Sequence, residues 1–89
     1  MRVRVLFFGM VKDLAGCSAD TLELAEGSKL SDVFDHYAAR NPRLREFDAS
    51  IVLARNQEFA ARSTEVAEGD EVAFLPPVSG GRDRYTHLI

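Results

Sequence analysis

The chain has 89 residues, a formal net charge of −3 and one cysteine. Its length suits one hydrophobic core rather than two, and its acidic balance excludes the clustered Lys and Arg footprint of a nucleic-acid-binding protein. One cysteine can form neither an internal disulfide nor a cysteine-pair metal site, no apolar run approaches the roughly 20 residues of a membrane span, and a signal-peptide pattern is missing. We therefore expect a cytoplasmic single-domain protein that binds neither nucleic acid nor membrane.

The first element is a predicted strand over residues 2–8, whose second half is apolar on both faces. One face takes Val3, Val5 and Phe7, and the other takes Leu6 and Phe8. Such a pattern favours a position inside a sheet. Residues 10–15 predict a short helix that Gly16 ends, and residues 20–24 alternate again as a second strand.

The most periodic segment predicts a helix over residues 28–40. Its apolar positions recur at intervals of three and four, which places them on one face: Leu30, Val33, Phe34, Tyr37 and Ala38. Asn41-Pro42 ends this helix because proline disfavours helical geometry in the residue before it. Residues 44–47 then predict one further helical turn.

The second half of the chain predicts strands at residues 50–54 and 71–75. Between them, a hairpin turn at residues 55–58 leads to a short strand at Phe59. Four carboxylates cluster around the turn before the last strand: Glu65, Glu68, Asp70 and Glu71. They lack the spacing of a calcium-binding loop, and we expect them to be solvated.

The order of elements predicts an α+β fold of the β-grasp, or ubiquitin-like, class. Two strands, one long helix and two or three further strands give a mixed sheet of four to five strands with the helix packed on one face. A ferredoxin-like fold would need a second long helix, and residues 55–70 are too short and polar to supply one.

The chain after the last predicted strand forms an arm over residues 76–81. Pro76 and Pro77 lack backbone N–H donors, so the sheet ladder should stop at Pro76 and an extended segment should follow. Such an arm can reach about 20 Å, and Gly80-Gly81 can enter a channel too narrow for bulkier residues. The alternative is a flexible joint, which is what a Gly-Gly pair usually forms.

Other reactive side chains give no catalytic motif. His36 and His87 are expected to be ordinary histidines at the surface, and Cys17 a half-buried loop residue. By elimination, we expect no active site within the domain itself and no metal site.

Three segments carry a resemblance to a known family: Val5-Leu6-Phe7-Phe8 with Lys12-Asp13-Leu14, Ala54-Arg55-Asn56-Gln57, and residues 68–81 (EGDEVAFLPPVSGG). With them, residues 1–81 resemble the MoaD-type sulfur carriers of the MoaD/ThiS family, the small subunits of molybdopterin synthase. The sulfur carriers of the thiamine pathway share the fold and the Gly-Gly, but their arm usually lacks the Phe-x-Pro-Pro-Val approach.

The resemblance implies that chemistry takes place at Gly81. Its carboxylate would be adenylated by an ATP-using, ubiquitin-activating-like adenylyltransferase and converted to a thiocarboxylate, with Gly80 giving access. The large, MoaE-type subunit of the synthase would then transfer the sulfur to cyclic pyranopterin monophosphate. The chain itself would bind no cofactor, since ATP is used by the activating enzyme.

The resemblance also implies a partner-binding surface beside the arm, in which one or two aromatic anchors dominate. The candidate residues combine apolar side chains with the stiff segment of the arm: Phe8, Phe59, Phe74, Leu75, Pro76, Pro77 and Val78. For Phe8 and Phe74, a place in the hydrophobic core is an equally good expectation.

Residues 82–89 continue beyond Gly81, where a free carrier of the family ends. They could be a remnant of a fusion to the large subunit, a precursor tail that a protease removes, or a sign that carrier function is lost; the intact Gly80-Gly81 favours the first two. Two other functions stay open: a ubiquitin-like protein modifier joined through Gly81, and a plain interaction domain.

Overall fold

A computed structural model describes residues 1–76 as a five-stranded mixed sheet with helices on one face. In chain order the elements are β1 (Arg2–Phe7), α1 (Gly9–Ala15), β2 (Ala19–Glu23), α2 (Leu30–Arg40), α3 (Pro42–Glu46), β3 (Val52–Arg55), β4 (Glu58–Phe59) and β5 (Glu71–Leu75). The strand order is β2-β1-β5-β3-β4, in which β1 and β5 run parallel and the other neighbours antiparallel. This is the predicted α+β, β-grasp architecture.

The hydrophobic core lies between the helices and one face of the sheet. The buried side chains from the strands are Val3, Val5, Phe7, Leu22, Leu53, Val72 and Phe74, and those from the helices are Val11, Leu30, Val33, Phe34, Tyr37, Ala38 and Leu44. Burying one large side chain of this kind stabilises the fold by roughly 1.5–3 kcal/mol. The alternating apolar residues of the strands and the apolar residues spaced three and four apart in the helices therefore form the two sides of one core.

Both predicted helices have the expected ends, with one difference at the start of α2. Gly16 has a φ of +83° and its N–H donates to the carbonyl of Lys12, which ends α1. The cap of α2 is Lys29 rather than Ser28, because the Lys29 N–H donates to Oδ2 of Asp32 at 2.8 Å. The Ser28 hydroxyl instead donates to the carbonyl of Ala25.

The β3–β4 hairpin closes through a two-residue turn. Asn56 and Gln57 both have positive φ, at 52° and 70°, which is the geometry of the tight hairpin turn that matches strand twist. Beyond the hairpin, β5 inserts between β1 and β3 and ends at Leu75. The ladder therefore stops before Pro76, as the missing N–H of proline predicts.

The turn before β5 differs from the expectation of a fully solvated group of carboxylates. Asp70 is buried, with 7% of its surface exposed. Its side chain accepts hydrogen bonds from Arg55 and Asn56 on the hairpin. Buried carboxylates require such partners, so Asp70 is part of the structure of the domain.

Candidate functional site

The candidate site begins at the edge of the sheet where β1 and β5 both end. The two strands are parallel with Phe7 opposite Phe74, and the N–H of Phe8 donates to the carbonyl of Phe74 at 3.1 Å. Immediately beyond this last contact between the strands come Gly9 on one side and Pro76 on the other. The base of the arm is therefore held at a defined place beside the start of α1.

The sheet face opposite the helices is apolar near this edge. Side-chain alternation and strand register place the following residues there, which we term the apolar face: Leu6, Phe8, Val52, Ala54, Phe59, Ala73 and Leu75. The far end of the same face is charged, since Arg4 lies opposite Glu71 and Arg2 pairs with Glu23 at 2.6 Å. Apolar character thus increases toward Pro76.

Two aromatic side chains are exposed on the apolar face. Phe8 is 37% exposed and Phe59 is 49% exposed, and among residues 1–76 these are the large hydrophobic residues left at the surface. Exposed aromatic residues beside a largely buried apolar surface suit an interface anchor. The structure therefore gives Phe8 and Phe59 the exposure that their predicted role needs; the role itself stays a prediction.

Phe74 and Leu75 were predicted as candidates for the partner-binding surface, but they are 0% and 1% exposed. Phe74 lies on the helix side, where its ring centroid is 5.1 Å from that of Phe7 and 5.8 Å from that of Phe34. Leu75 lies on the apolar face in a central strand, directly opposite Val52. Neither residue is accessible in this structure, so the docking role expected of them stays a prediction that their burial does not support.

Of the other predicted site residues, Pro76 is the last residue that the structure describes, and the rest follow it. Pro76 is half-buried at the base of the arm. The remaining arm positions, Pro77, Val78, Gly80 and Gly81, and the extension 82–89 lie outside the described residues, so the roles assigned to them stay predictions.

Sequence reasoning did not assign the partly exposed Val52 and Ala73, or the buried Ala54, to the apolar face. The signal was present, because the alternation that sends Leu53 and Phe74 to the core must send their neighbours to the other face. No comparable signal pointed to Gly9, since its contact with Pro76 depends on the parallel pairing of β1 and β5.

Within residues 1–76, no buried side-chain nitrogen or oxygen lacks a hydrogen-bond partner. Tyr37 donates a hydrogen bond to Oδ2 of Asp20 at 2.9 Å, and burial, followed by this hydrogen bond, raises the pKa of Tyr37 above its ordinary value. His36 packs edge-on against the Tyr37 ring, with centroids 4.8 Å apart. Cys17 is half-buried beside a shallow depression lined by Lys12.

Within residues 1–76, acidic, His and Cys side chains form no group of three or more that could hold a metal ion, and no helix is long and apolar enough to cross a membrane.

Comparison with known proteins identifies relatives over nearly the whole chain. The model of the ThiS family matches residues 5–81. The molybdopterin synthase sulfur carrier subunit of Chlamydomonas reinhardtii is 36% identical over 91% of this chain and 100% of its own length. The subunit of the same name from Escherichia coli is 37% identical over 89% of this chain and 99% of its own.

Solved structures give the same fold. A Pyrococcus furiosus protein assigned as molybdopterin converting factor subunit 1 is 28% identical, with a TM-score of 0.79 over 88% of this chain and 99% of its own. Small archaeal modifier protein 1 of Haloferax volcanii is 28% identical, with a TM-score of 0.78 over 91% of this chain and 100% of its own. A complex of subunits 1 and 2 of the Helicobacter pylori molybdopterin-converting factor contains a chain that is 26% identical, with a TM-score of 0.65 over 91% of this chain and 100% of that chain.

Proposed function

This chain belongs to the ThiS family, and we propose that it is the sulfur carrier of a molybdopterin synthase. The observation that carries the proposal is the similarity to carrier subunits of that name, at 36% and 37% identity over essentially their full lengths. The matched region of the family model ends at Gly81, which is the residue that the proposed chemistry uses. Residues 1–81 would form the carrier domain, with residues 82–89 beyond it.

The proposed chemistry takes place on the carboxylate of Gly81 once that residue is the C-terminus. A carboxylate oxygen attacks the α-phosphorus of ATP and pyrophosphate leaves, which gives an acyl adenylate. Sulfide displaces AMP and leaves the carbonyl carbon with sulfur in place of one oxygen. A persulfide donor displaces AMP to give an acyl disulfide, and a thiol must then reduce its S–S bond, which releases the donor as a thiol, leaves the thiocarboxylate and oxidises the reducing thiol to a disulfide. Gly80 gives the reacting group access to a narrow active site because it has no side chain.

Two partners follow from this chemistry. An adenylyltransferase binds ATP and supplies the catalytic residues for activation. A large synthase subunit then uses the thiocarboxylate as its sulfur donor. The complex of subunits 1 and 2 from Helicobacter pylori supports a large-subunit partner, because its small chain shares this fold. We assign the docking surface to the apolar face, with Phe8 and Phe59 as anchors.

The direct test uses a chain that ends at Gly81, incubated with the family's activating enzyme, ATP and a sulfide donor. We expect its intact mass to increase by the difference between a sulfur and an oxygen atom. The 89-residue chain is the matched control: its Gly81 carbonyl is in a peptide bond, so its mass should not change. No mass change in the chain ending at Gly81 would overturn the proposal.

A second candidate function is protein modification. The similarity to small archaeal modifier protein 1 favours it, because that protein shares the fold over its entire length. A modifier would form isopeptide bonds between Gly81 and lysines of other proteins. Conjugates of that kind, formed without any sulfur transfer, would favour this second function over the first. Under the third reading, a plain interaction domain, Gly81→Ala would leave function unchanged.

A further inference from the structure

We infer that Gly9 is a positioning residue, whose missing side chain leaves a seat for the ring of Pro76 and so sets the direction in which the arm leaves the sheet. The inference rests on the proposed carrier function, because direction matters when Gly81 must reach a partner's active site. Gly9, which follows β1, would then act together with the arm residues that follow β5.

The first observation is the close approach of the two residues. A Cβ atom added to Gly9 would lie 2.8 Å from Cγ of Pro76 and 3.6 Å from its Cβ and Cδ. Carbon atoms in good contact are about 3.5–4.0 Å apart. The pyrrolidine ring therefore lies directly on the Gly9 backbone, and any other residue at position 9 would displace the ring or the start of α1.

The second observation is that the backbone is anchored on both sides of the contact. The Phe8 N–H donates to the Phe74 carbonyl at 3.1 Å, and the Val11 N–H donates to the Phe8 carbonyl at 3.1 Å. Gly9 itself has a φ of +56°, a conformation that glycine adopts without strain. These hydrogen bonds hold the backbone on either side of Gly9 and tie it to β5 two residues before Pro76, so the place of the contact is defined.

The seat matters because Pro76 is the first residue outside the sheet. Its ring fixes its own φ near −65°, so the placement of the ring also sets the direction of the backbone that follows. A displacement at Pro76 therefore changes the point and the direction from which the following residues start. Catalysis is sensitive to such errors, since a misplacement of about 1 Å can lower a rate by about a hundredfold.

The chain offers a matched control at Gly27. Gly27 also has a positive φ, +85°, but an added Cβ there would meet nothing within 4 Å. Gly9→Ala and Gly27→Ala therefore both place a side chain at a positive φ, with more strain expected at Gly27, whereas the contact with Pro76 exists at Gly9 alone of the two. Because a change of ring pucker could absorb one methyl group, the pair Gly9→Leu and Gly27→Leu provides the stronger contrast.

The experiment measures ATP–pyrophosphate exchange by the activating enzyme, with each variant ending at Gly81. We expect Gly9→Leu to lower kcat by about tenfold relative to Gly27→Leu, with a smaller change in KM. The melting temperatures of both variants are measured as well and should lie above the assay temperature, so that kcat is compared between folded proteins. Adding Pro76→Ala to Gly9→Leu should recover part of the lost kcat, because removing the ring removes the clash.

Equal kcat values for the Gly9 and Gly27 variants would overturn the inference, as would a loss confined to KM or to thermal stability. An NMR measurement separates this failure from failure of the proposed function. The wild-type chain should give nuclear Overhauser contacts between the α protons of Gly9 and the ring protons of Pro76, and Gly9→Leu should change the residual dipolar couplings of the Gly80 and Gly81 amides. If these signals are found but the wild type exchanges no pyrophosphate, the carrier function fails and the seat stands; if they are missing, the seat fails.

Discussion

Oδ2 of Asp70 lies 2.6 Å from Nε of Arg55, a contact that joins the β3–β4 hairpin to the turn before β5. The same carboxylate accepts hydrogen bonds from Nδ2 of Asn56 at 3.0 Å and from the N–H of Ala67 at 2.7 Å. Asp70 is almost fully buried, where such charge-assisted bonds are stronger than at the surface. Because β5 leads directly to Pro76, this network fixes the start of the strand from which the arm leaves.

Replacing Asp70 should destabilise the domain strongly. We expect Asp70→Ala to lower the free energy of unfolding by about 2 kcal/mol, because it removes the acceptor of three partly buried hydrogen bonds. The matched control is Asp35→Ala, which removes an exposed ion pair with Arg45 of 3.0 Å and should cost less than about 1 kcal/mol. Chemical denaturation measures both, and equal losses would show that the Asp70 network contributes nothing special.

Acid should weaken the same network. Burial alone would raise the pKa of Asp70, but hydrogen bonds from Asn56, Arg55 and Ala67 outweigh it and hold the pKa below the ordinary 3.8. A carboxylate with a lowered folded-state pKa stabilises the fold above its unfolded-state pKa, and this contribution is lost as the pH falls through the folded-state pKa.

We therefore expect the free energy of unfolding of the wild type to decrease below pH 3.8 more steeply than that of Asp70→Asn. Denaturant melts at a series of pH values compare the two slopes. Thr21→Ala, which removes no titratable group, serves as the control and should follow the wild type. A wild-type slope no steeper than that of Asp70→Asn would contradict the prediction.

High pH should destabilise the domain through deprotonation of Tyr37. Its pKa is raised above 10.0 by burial and then by the hydrogen bond to Asp20, so the folded state keeps its proton at a pH where the unfolded state loses it. The free energy of unfolding should therefore fall as the pH rises above 10.0. Ultraviolet titration of the phenolates should reveal a late component that disappears in Tyr37→Phe and persists in Tyr85→Phe, the sequence having two tyrosines. If the late component disappeared in Tyr85→Phe instead, it would belong to Tyr85, and the assignment to Tyr37 would be wrong.

Local patterns of sequence were sufficient for the elements of the fold. The apolar spacing from Leu30 to Ala38 predicted both α2 and its buried face, and Asn41-Pro42 marked its end within one residue. The class of fold followed from the order of the elements. These features depend on neighbours within a few residues, which is why they could be read without the structure.

Contacts between distant segments could not be read in this way. Asp70 is buried because Arg55 and Asn56 reach it across the hairpin, and no local pattern distinguishes it from the exposed carboxylates beside it. Phe74 is buried because β5 lies between β1 and β3 and directs this side chain toward Phe7 and Phe34, whereas the sequence left it as a candidate for the surface. Strand order decides accessibility, and a single sequence gives strand order only through the fold class.

The exposed and buried aromatic residues should therefore respond differently to truncation. Phe8→Ala and Phe59→Ala should each weaken binding to the large subunit by about tenfold, as interface anchors do, and should change the free energy of unfolding by less than about 1 kcal/mol. Phe74→Ala should instead lower that free energy by about 3–5 kcal/mol, because Phe74 is fully buried. Thr21→Ala, at an exposed position facing the same side of the sheet opposite Arg4, is the control and should bind as the wild type does. Calorimetric titration and denaturant melts measure the two quantities, and wild-type affinity in both Phe8→Ala and Phe59→Ala would exclude the apolar face as the docking surface.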